Sequence, residues 1–288
     1  MDKIEKNIEQ LYIVSTSCTI CPKECKVNRL KNEIGYCLAH FNPTVASSGP
    51  HFGEETFISG TNGSGTIFIS GCNLNCIYCQ NSDISQKLTG KTYKPENLAC
   101  LMLQLQSEKV HNINLVSPTH NSPAIAKAIY IAKKEGLTIP VVYNTGGFEK
   151  AETISLLEGL VDIYMPDFKY GFGSLSLKLS KVHNYPFYAG TSLKTMYTQV
   201  GPLKLENNIA SRGVIIRHLV LPNYIDNSLS VLYLIKDMIG TNIHINIMDQ
   251  YRPYYNAHSD KNLKREISAD EFNYILNKAK ELGFNIIR

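Results

Sequence analysis

The sequence predicts an α/β fold, an open, partial (β/α)6 barrel, from two observations. Short apolar runs rich in Val and Ile alternate with amphipathic segments of helical period from about residue 65 onward, a pattern typical of parallel strands joined by right-handed crossovers. Six such runs are too few to close an eight-stranded barrel, so a doubly wound sheet is the alternative. The runs lie at 66–70, 113–117, 139–144, 161–165, 214–221 and 243–248.

The segments between the runs carry helix signals. Ser122 and Pro123 are predicted to be an N-cap and first helical residue, and Ser268 with Glu271 forms a capping box. Gly283 is predicted to end the last helix. One buried face follows the i, i+3, i+4, i+7 spacing: Leu98, Leu101, Met102 and Leu105.

Composition narrows the class of protein. The chain has 288 residues, of which 43% are hydrophobic and 19% charged, which predicts a substantial core and excludes disorder by composition. The net charge of +4 is too small to indicate a nucleic-acid partner. The first residues do not resemble a signal peptide, and no apolar run is long enough to span a membrane. We therefore expect a cytoplasmic location and no membrane partner.

Seven of the eight cysteines fall into two clusters. Because cytoplasmic thiols stay reduced, we interpret them as ligands or core residues before disulfides. The exception, Cys100, lies in an apolar helix and is predicted to be core.

The central cluster is Cys72-x3-Cys76-x2-Cys79, directly after the first predicted strand. Three thiolates can hold three irons of a [4Fe–4S] cubane and leave the fourth iron open, as a catalytic site requires. The alternative is a zinc knuckle completed by a distant Cys or His. The preceding strand, Tyr78 within the loop and the five further strand–helix units favour the cluster.

A cysteine-rich accessory region is predicted at residues 1–64, followed by the barrel domain at 65–288. The accessory region contains four cysteines among Lys, Asn, Gly and Pro: Cys18, Cys21, Cys25 and Cys37. Four thiolates close a metal site without an open position. The spacing fits either zinc or an auxiliary [4Fe–4S] cluster.

These motifs resemble the radical S-adenosylmethionine (SAM) superfamily. More narrowly, they resemble the pyruvate formate-lyase activating enzyme-like subfamily that has an N-terminal cysteine cluster, and the predicted fold is then a radical SAM barrel. The resemblance covers most of the chain after residue 62 through six segments: 63–81, 112–123, 141–149, 161–170, 212–223 and 245–253.

The resemblance implies a reaction. A flavodoxin or ferredoxin supplies one electron, SAM is cleaved at the cluster, and the 5′-deoxyadenosyl radical abstracts hydrogen from a polypeptide. The polypeptide expected from the subfamily is a glycyl-radical enzyme. A different peptide or a small molecule is an alternative substrate, and a non-catalytic iron–sulfur or zinc protein that binds a partner or carries electrons is an alternative class.

The resemblance also implies a cofactor-binding set: Tyr78, Asn144, Thr145, Asp167, Lys169 and Arg217. Within it, Lys169 and Arg217 are suitable cations for the SAM carboxylate. Asp167 with Lys169 is alternatively a solvated ion pair, and Arg217 is alternatively part of a structural salt bridge.

A monovalent cation beside the SAM carboxylate is implied as well. Asn144, Thr145, Met165 and Asp167 resemble the positions that hold it in the family.

One departure concerns the Gly-Gly-Glu motif that many radical SAM proteins have after the second strand. This chain has Ser117-Pro-Thr-His120 there. Backbone carbonyls, Thr119 or His120 are candidates to replace that motif, while His51 and His120 are more simply interpreted as structural. Glu54 and Glu55 have no role that the sequence predicts.

Overall fold

The computed structural model describes residues 2–287 as an α/β fold built on one mostly parallel sheet. Its strands are β1 (Thr44–His51), β2 (Ser64–Ile69), β3 (Lys91–Thr92), β4 (Ile113–Val116), β5 (Val141–Thr145), β6 (Ile163–Pro166), β7 (Lys204–Glu206), β8 (Ile209–Leu219), β9 (His244–Met248) and β10 (Asn285–Ile287).

The helices alternate with these strands. They are α1 (Lys3–Ser15), α2 (Thr56–Ser59), α3 (Ser82–Ser85), α4 (Pro95–Ser107), α5 (Ser122–Lys134), α6 (Ala151–Ser155), α7 (Gly173–Ser180), α8 (Tyr185–Val200), α9 (Ile225–Ile239) and α10 (Ala269–Glu281).

The parallel part of the sheet has the order β10-β9-β8-β6-β5-β4-β2. The six predicted strands correspond to β2, β4, β5, β6, β8 and β9, so the predicted α/β barrel architecture is confirmed. The antiparallel strands β1, β3 and β7 and the short parallel strand β10 were not predicted.

Strand β1 belongs to the predicted accessory region but pairs with β2, from Val45 opposite Ile69 to His51 opposite Ser64. The N-terminal segment is therefore part of the sheet. The domain boundary at residue 64 remains a prediction.

The helix signals agree with the structure apart from two details. The Ser268–Glu271 capping box starts α10, and Gly283 follows its end at φ +90°. Helix α5 includes Ser122 as its first residue and has Asn121 at the cap, one residue earlier than predicted. Cys100 is exposed, so its prediction as core was wrong. It points away from the face of α4 that buries Leu98 and Met102.

Within residues 2–287, no helix is long and apolar enough to cross a membrane.

Candidate active site

The candidate site is a cavity of about 410 Å³ at the carboxyl ends of the parallel strands. In α/β sheets this edge gathers side chains from several strands at one place. Six strand ends contribute here: Cys72 after β2, Ser117 after β4, Asn144 in β5, Asp167 after β6, Arg217 in β8 and Met248 in β9.

The three central cysteines all line this cavity. Their loop leaves β2 at Gly71, which has φ +85°. Cys76 is buried, and Cys72 and Cys79 are half-buried. Each sulfur has a polar hydrogen-bonding neighbour: Leu74 N with Cys72 Sγ at 3.4 Å, Ser180 Oγ with Cys76 Sγ at 2.9 Å and Ser85 Oγ with Cys79 Sγ at 3.2 Å.

The chemistry of these thiols fits a metal cluster. Burial raises the pKa of both Cys72 and Cys76, so a positive partner is needed to keep them as thiolates. Within residues 2–287, no three His, Cys, Asp or Glu side chains are arranged to hold one metal ion. A cubane makes a different demand, because each thiolate binds its own iron.

Tyr78 is buried in the cysteine loop and lies against the cavity. Its hydroxyl is 2.7 Å from the hydroxyl of Tyr170, which in turn contacts Ser180. Since Ser180 also donates to Cys76, a chain of hydroxyl groups connects Tyr78 to the thiol.

Asp167 and Lys169 form an ion pair at the cavity wall, with 23% and 18% of their side chains exposed. Burial alone would lower the pKa of Lys169, but Asp167 and Cys76 outweigh it and raise that pKa well above its usual value. The pair is partly buried and faces the cysteines, which does not match the alternative of a solvated pair.

Arg217 is also at the cavity wall, but its guanidinium is already paired. Nε donates to Glu55 Oε1 at 2.8 Å, and Nη2 donates to both Glu54 and Glu55. Asn114 and Asn246 donate to the same two carboxylates. This is the structural salt bridge that the sequence left as the alternative for Arg217, and it gives Glu54 and Glu55 a role.

Asn144 and Thr145 lie at the end of β5 and line the cavity. The hydroxyl of Thr145 donates to Glu149, which also accepts from Thr119. Glu149 is fully buried, and burial raises its pKa to about 7 although both hydroxyl groups act to lower it. The buried side chain of Met165 belongs to the core.

The segment at residues 117–120, which stands where many radical SAM proteins have Gly-Gly-Glu, lies partly at the cavity and partly in the protein interior. Ser117 lines the cavity with φ +58°. His120 is buried, its Nε2 lies 2.8 Å from Ser70 O, and burial lowers its pKa to about 4. Thr119 and His120 are therefore engaged in the interior, and the backbone near Ser117 is the part that faces the cavity.

The cavity lining does not include the N-terminal cysteines, Cys18, Cys21, Cys25 and Cys37. Their surroundings differ from those of the central cysteines because a buried cation, Arg29, donates to Cys18 and Cys37.

Several cavity residues were missed from the sequence. Met248 is the last residue of β9, and Gln250 follows that strand. The side chain of Gln80, which also lines the cavity, donates to Gln250 O at 3.0 Å. The rule that sites lie at the carboxyl ends of strands would have identified Met248 and Gln250. No local signal pointed to Ser180 or Glu54.

A family comparison matches part of the chain. Residues 66–180, which include the central cysteines, match the model of the Radical SAM superfamily. The protein MJ0674 of Methanocaldococcus jannaschii, named as uncharacterized, is 31% identical over 296 residues, with 99% of this chain and 80% of that protein covered. A second uncharacterized protein of that organism, MJ0808, is 23% identical and covers 81% of this chain and 69% of its own length.

Three solved structures share the fold. Streptococcus suis SuiB bound to precursor peptide SuiA has a TM-score of 0.52 at 13% identity, covering 75% of this chain and 46% of SuiB. Methylornithine synthase (PylB) has a TM-score of 0.51 at 14% identity, covering 77% and 63%. The structure of anSMEcpe with bound AdoMet and Kp18Cys peptide has a TM-score of 0.52 at 14% identity, covering 76% and 60%. This chain thus spans less than two thirds of each.

Proposed function

Because the chain belongs to the radical SAM superfamily, whose members hold a [4Fe–4S] cluster and S-adenosylmethionine, we propose that Cys72, Cys76 and Cys79 bind that cluster here. We further propose that the chain cleaves SAM reductively and abstracts hydrogen from a polypeptide. One observation supports this most strongly: the three thiols line one cavity with Asn144 and Lys169.

The chemistry that a bound cluster would supply is one-electron reduction of the SAM sulfonium, which would yield methionine and a 5′-deoxyadenosyl radical. The residues of the chain are proposed to bind and orient the cluster and SAM and to exclude water from the cavity. Hydrogen bonds from Leu74, Ser180 and Ser85 support the three sulfurs. Tyr78 is proposed to pack against the bound cofactor.

Lys169 is the cation that we propose for the SAM carboxylate. Its Nζ has one side-chain partner among residues 2–287, Asp167, whereas Arg217 already donates to two carboxylates. A charge-assisted contact from Lys169 is therefore available without breaking a second ion pair. Arg217 is proposed to contribute indirectly, by holding the side chain of Glu54, which also lines the cavity.

A monovalent cation at Asn144, Thr145, Met165 and Asp167 stays a prediction. In the described structure, Thr145 donates to Glu149 and Asp167 pairs with Lys169, so these two side chains already have partners. The backbone near Ser117 is proposed to receive the SAM amino group in place of Gly-Gly-Glu.

A polypeptide substrate is supported by two of the structural neighbours, which are complexes with a precursor peptide and with the Kp18Cys peptide. Within that class, we propose the backbone Cα of a glycine in a glycyl-radical enzyme, on the resemblance of Asp167-x-Lys169 to activating enzymes. Modification of a peptide side chain is the second candidate, favoured by the same two complexes.

The test compares three proteins without oxygen: wild type, C72A/C76A/C79A and Cys100→Ala. Cys100 is exposed and outside both clusters, so its variant is the matched control. With SAM and dithionite, wild type and Cys100→Ala are expected to form 5′-deoxyadenosine, and the triple variant is expected to form none. Deoxyadenosine from the triple variant would overturn the site.

The substrate is tested with candidate glycyl-radical proteins in the same mixture. Electron paramagnetic resonance (EPR) is expected to show a glycyl-radical doublet. If every candidate stays silent while a peptide gains a new cross-link or oxidised side chain by mass spectrometry, the activating role is wrong and peptide modification replaces it.

A further inference from the structure

The sulfur of Cys76 receives the shortest hydrogen bond among the three central cysteines, and that bond comes from helix α7. Ser180, the last residue of α7, donates from its hydroxyl to Cys76 Sγ at 2.9 Å. The corresponding distances are 3.2 Å for Cys79 and 3.4 Å for Cys72. Cys76 and Ser180 are both buried, so the contact is shielded from solvent.

The end of α7 is fixed to the cysteine loop on both sides of Cys76. The backbone N–H groups of Asn75 and Ile77 donate to the carbonyl oxygens of Ser180 and Leu179, at 3.1 and 2.9 Å. Carbonyl oxygens at the end of a helix carry partial negative charge. The loop therefore places Cys76 beside a negative helix end, which disfavours a thiolate unless a donor offsets it. The hydroxyl of Ser180 is such a donor.

Two tyrosines extend this contact away from the sulfur. The hydroxyl of Tyr170 contacts Ser180 Oγ, and the hydroxyl of Tyr78 lies 2.7 Å from that of Tyr170. Edge-to-face ring contacts hold both tyrosines, with centroids 6.1 Å apart for Tyr78 and Tyr251 and 5.2 Å apart for Tyr170 and Tyr185. The three hydroxyl groups of Tyr78, Tyr170 and Ser180, here named the hydroxyl chain, belong to buried residues.

The direction of every hydrogen bond in the hydroxyl chain is fixed by the sulfur at its end. A metal-bound thiolate has no proton, so Ser180 must donate to Cys76. The single hydroxyl proton of Ser180 is then used, and Ser180 Oγ has to accept from Tyr170. By the same count, the oxygen of Tyr170 accepts from Tyr78. All three O–H dipoles therefore point toward the sulfur, and hydrogen bonds aligned in this way strengthen one another.

From this arrangement we propose that Ser180 and Tyr170 are positioning residues that raise the reduction potential of a [4Fe–4S] cluster bound at the central cysteines. Neither residue lines the cavity, so both act through Cys76. Hydrogen bonds to a ligand sulfur withdraw electron density from it and favour the state that holds one more electron. The reduced state is the one that SAM cleavage needs, so the inference rests on the proposed function.

The test measures this potential by redox titration without oxygen, monitored by EPR. The signal to follow is the one present in wild type and absent from C72A/C76A/C79A. Ser180→Ala is expected to move its midpoint to a more negative value, with roughly a tenfold fall in the ratio of reduced to oxidised cluster at a fixed potential, which is about 59 mV for one electron. Tyr170→Phe leaves the hydroxyl of Ser180 on the sulfur and is expected to move the midpoint less, in the same direction.

A double variant separates a transmitted effect from a loss of packing. Once Ser180 is replaced, the hydroxyl of Tyr170 has no route to the sulfur, so S180A/Y170F should have the midpoint of Ser180→Ala alone. Ser180→Thr keeps a hydroxyl and should recover most of the wild-type value. Ser176→Ala is the matched control and should keep the wild-type midpoint. Ser176 is a buried residue of the same helix, and its hydroxyl contacts the carbonyl oxygens of Gly173 and Val182.

An unshifted or more positive midpoint in Ser180→Ala would overturn the inference, and so would single shifts that add in the double variant or an equal shift in the control. If Ser180→Ala does not fold, Tyr170→Phe is compared with Tyr143→Phe, because both remove one oxygen from a buried tyrosine and Tyr143 lies outside the hydroxyl chain. Equal midpoints in these two variants would overturn the inference as well. Failure of the proposed function has a different signature, since wild type would then show no iron signal that the triple variant lacks, and both proposals would be wrong.

Discussion

At the scale of single residues, Glu149 is a fully buried carboxyl group whose ionisation affects stability. It lies beside the site, accepts hydrogen bonds from Thr119 and Thr145, and leaves its Oε2 without a hydrogen-bond partner among residues 2–287. Burial raises its pKa from 4.5 to about 7. The folded protein therefore holds the proton of Glu149 more tightly than the unfolded chain does.

This pKa sets the sign of a pH effect. As pH rises from about 4.5 to about 7, the unfolded chain loses this proton first, so stability falls and the loss is complete above pH 7. Glu149→Gln should remove that component. We expect the wild-type free energy of unfolding, relative to the variant, to fall by roughly 2–3 kcal/mol between pH 5 and pH 8, measured by urea unfolding.

The comparison with the variant is needed because two histidines act in the opposite direction. Burial lowers the pKa of His120 and of His218 to about 4, so their neutral forms stabilise the fold at neutral pH and this stability is lost as pH falls below 6.5. A difference between wild type and Glu149→Gln that is the same at both pH values would refute the assignment.

At the scale of elements, the loop after β5 joins two strand ends of the site. Gly147 has φ +78°, and a Cβ there would lie 2.1 Å from Asp167 O and 2.7 Å from the hydroxyl of Tyr185. Only glycine allows the backbone after β5 to pack this closely against the end of β6. The position of Asp167, and with it that of Lys169, thus depends on this glycine.

Gly147→Ala should therefore disturb SAM binding as well as stability. Gly136→Ala is the matched control, because Gly136 also has a positive φ, +104°, but has no atom within 4 Å of an added Cβ. Both variants should lose about 1–2 kcal/mol from backbone strain, and Gly147→Ala should lose more because its Cβ would clash with Asp167 O. Only Gly147→Ala should weaken SAM binding, by roughly tenfold or more. Calorimetric titration of the reconstituted proteins measures this. Equal SAM affinities in the two variants would show that the contact does not position the site.

At the scale of the whole molecule, the N-terminal segment contributes both to the sheet and to the candidate site. It supplies β1, which covers the edge of β2, and the two carboxylates that pair with Arg217. Without it, Arg217 would be a buried charge with no partner, and a parallel strand would have an open edge.

Truncation separates these contributions. A chain that starts at residue 65, the predicted domain boundary, loses β1, Glu54 and Glu55, and breaking a buried pair alone costs about 3–5 kcal/mol. A chain that starts at Thr44 keeps all three and lacks helix α1 and the N-terminal cysteines. We expect the chain from residue 65 to aggregate and the chain from residue 44 to stay folded. Circular dichroism and thermal unfolding of the soluble fractions test this, and two chains of equal stability would contradict it.

Much of this protein could be predicted from local features of its sequence. The periodicity of apolar residues predicted six parallel strands, and all six are present. The position of Cys72, Cys76 and Cys79 directly after a strand predicted that they lie at the carboxyl ends of the parallel strands, where they line the cavity. These features could be predicted because the period of apolar residues in a strand and the spacing of cysteines in a loop involve only residues that are close together in the sequence.

Tertiary structure alone decided which distant groups meet. Glu54 and Glu55 contact Arg217 from 163 and 162 residues away, and Ser180 reaches Cys76 across 104 residues. The backbone contact between Cys37 and Gly71, which brings the two cysteine sites together, has no sequence signal at all. Such contacts depend on the order in which strands pair and on how closely two backbones can pack, and neither quantity is encoded in a local pattern.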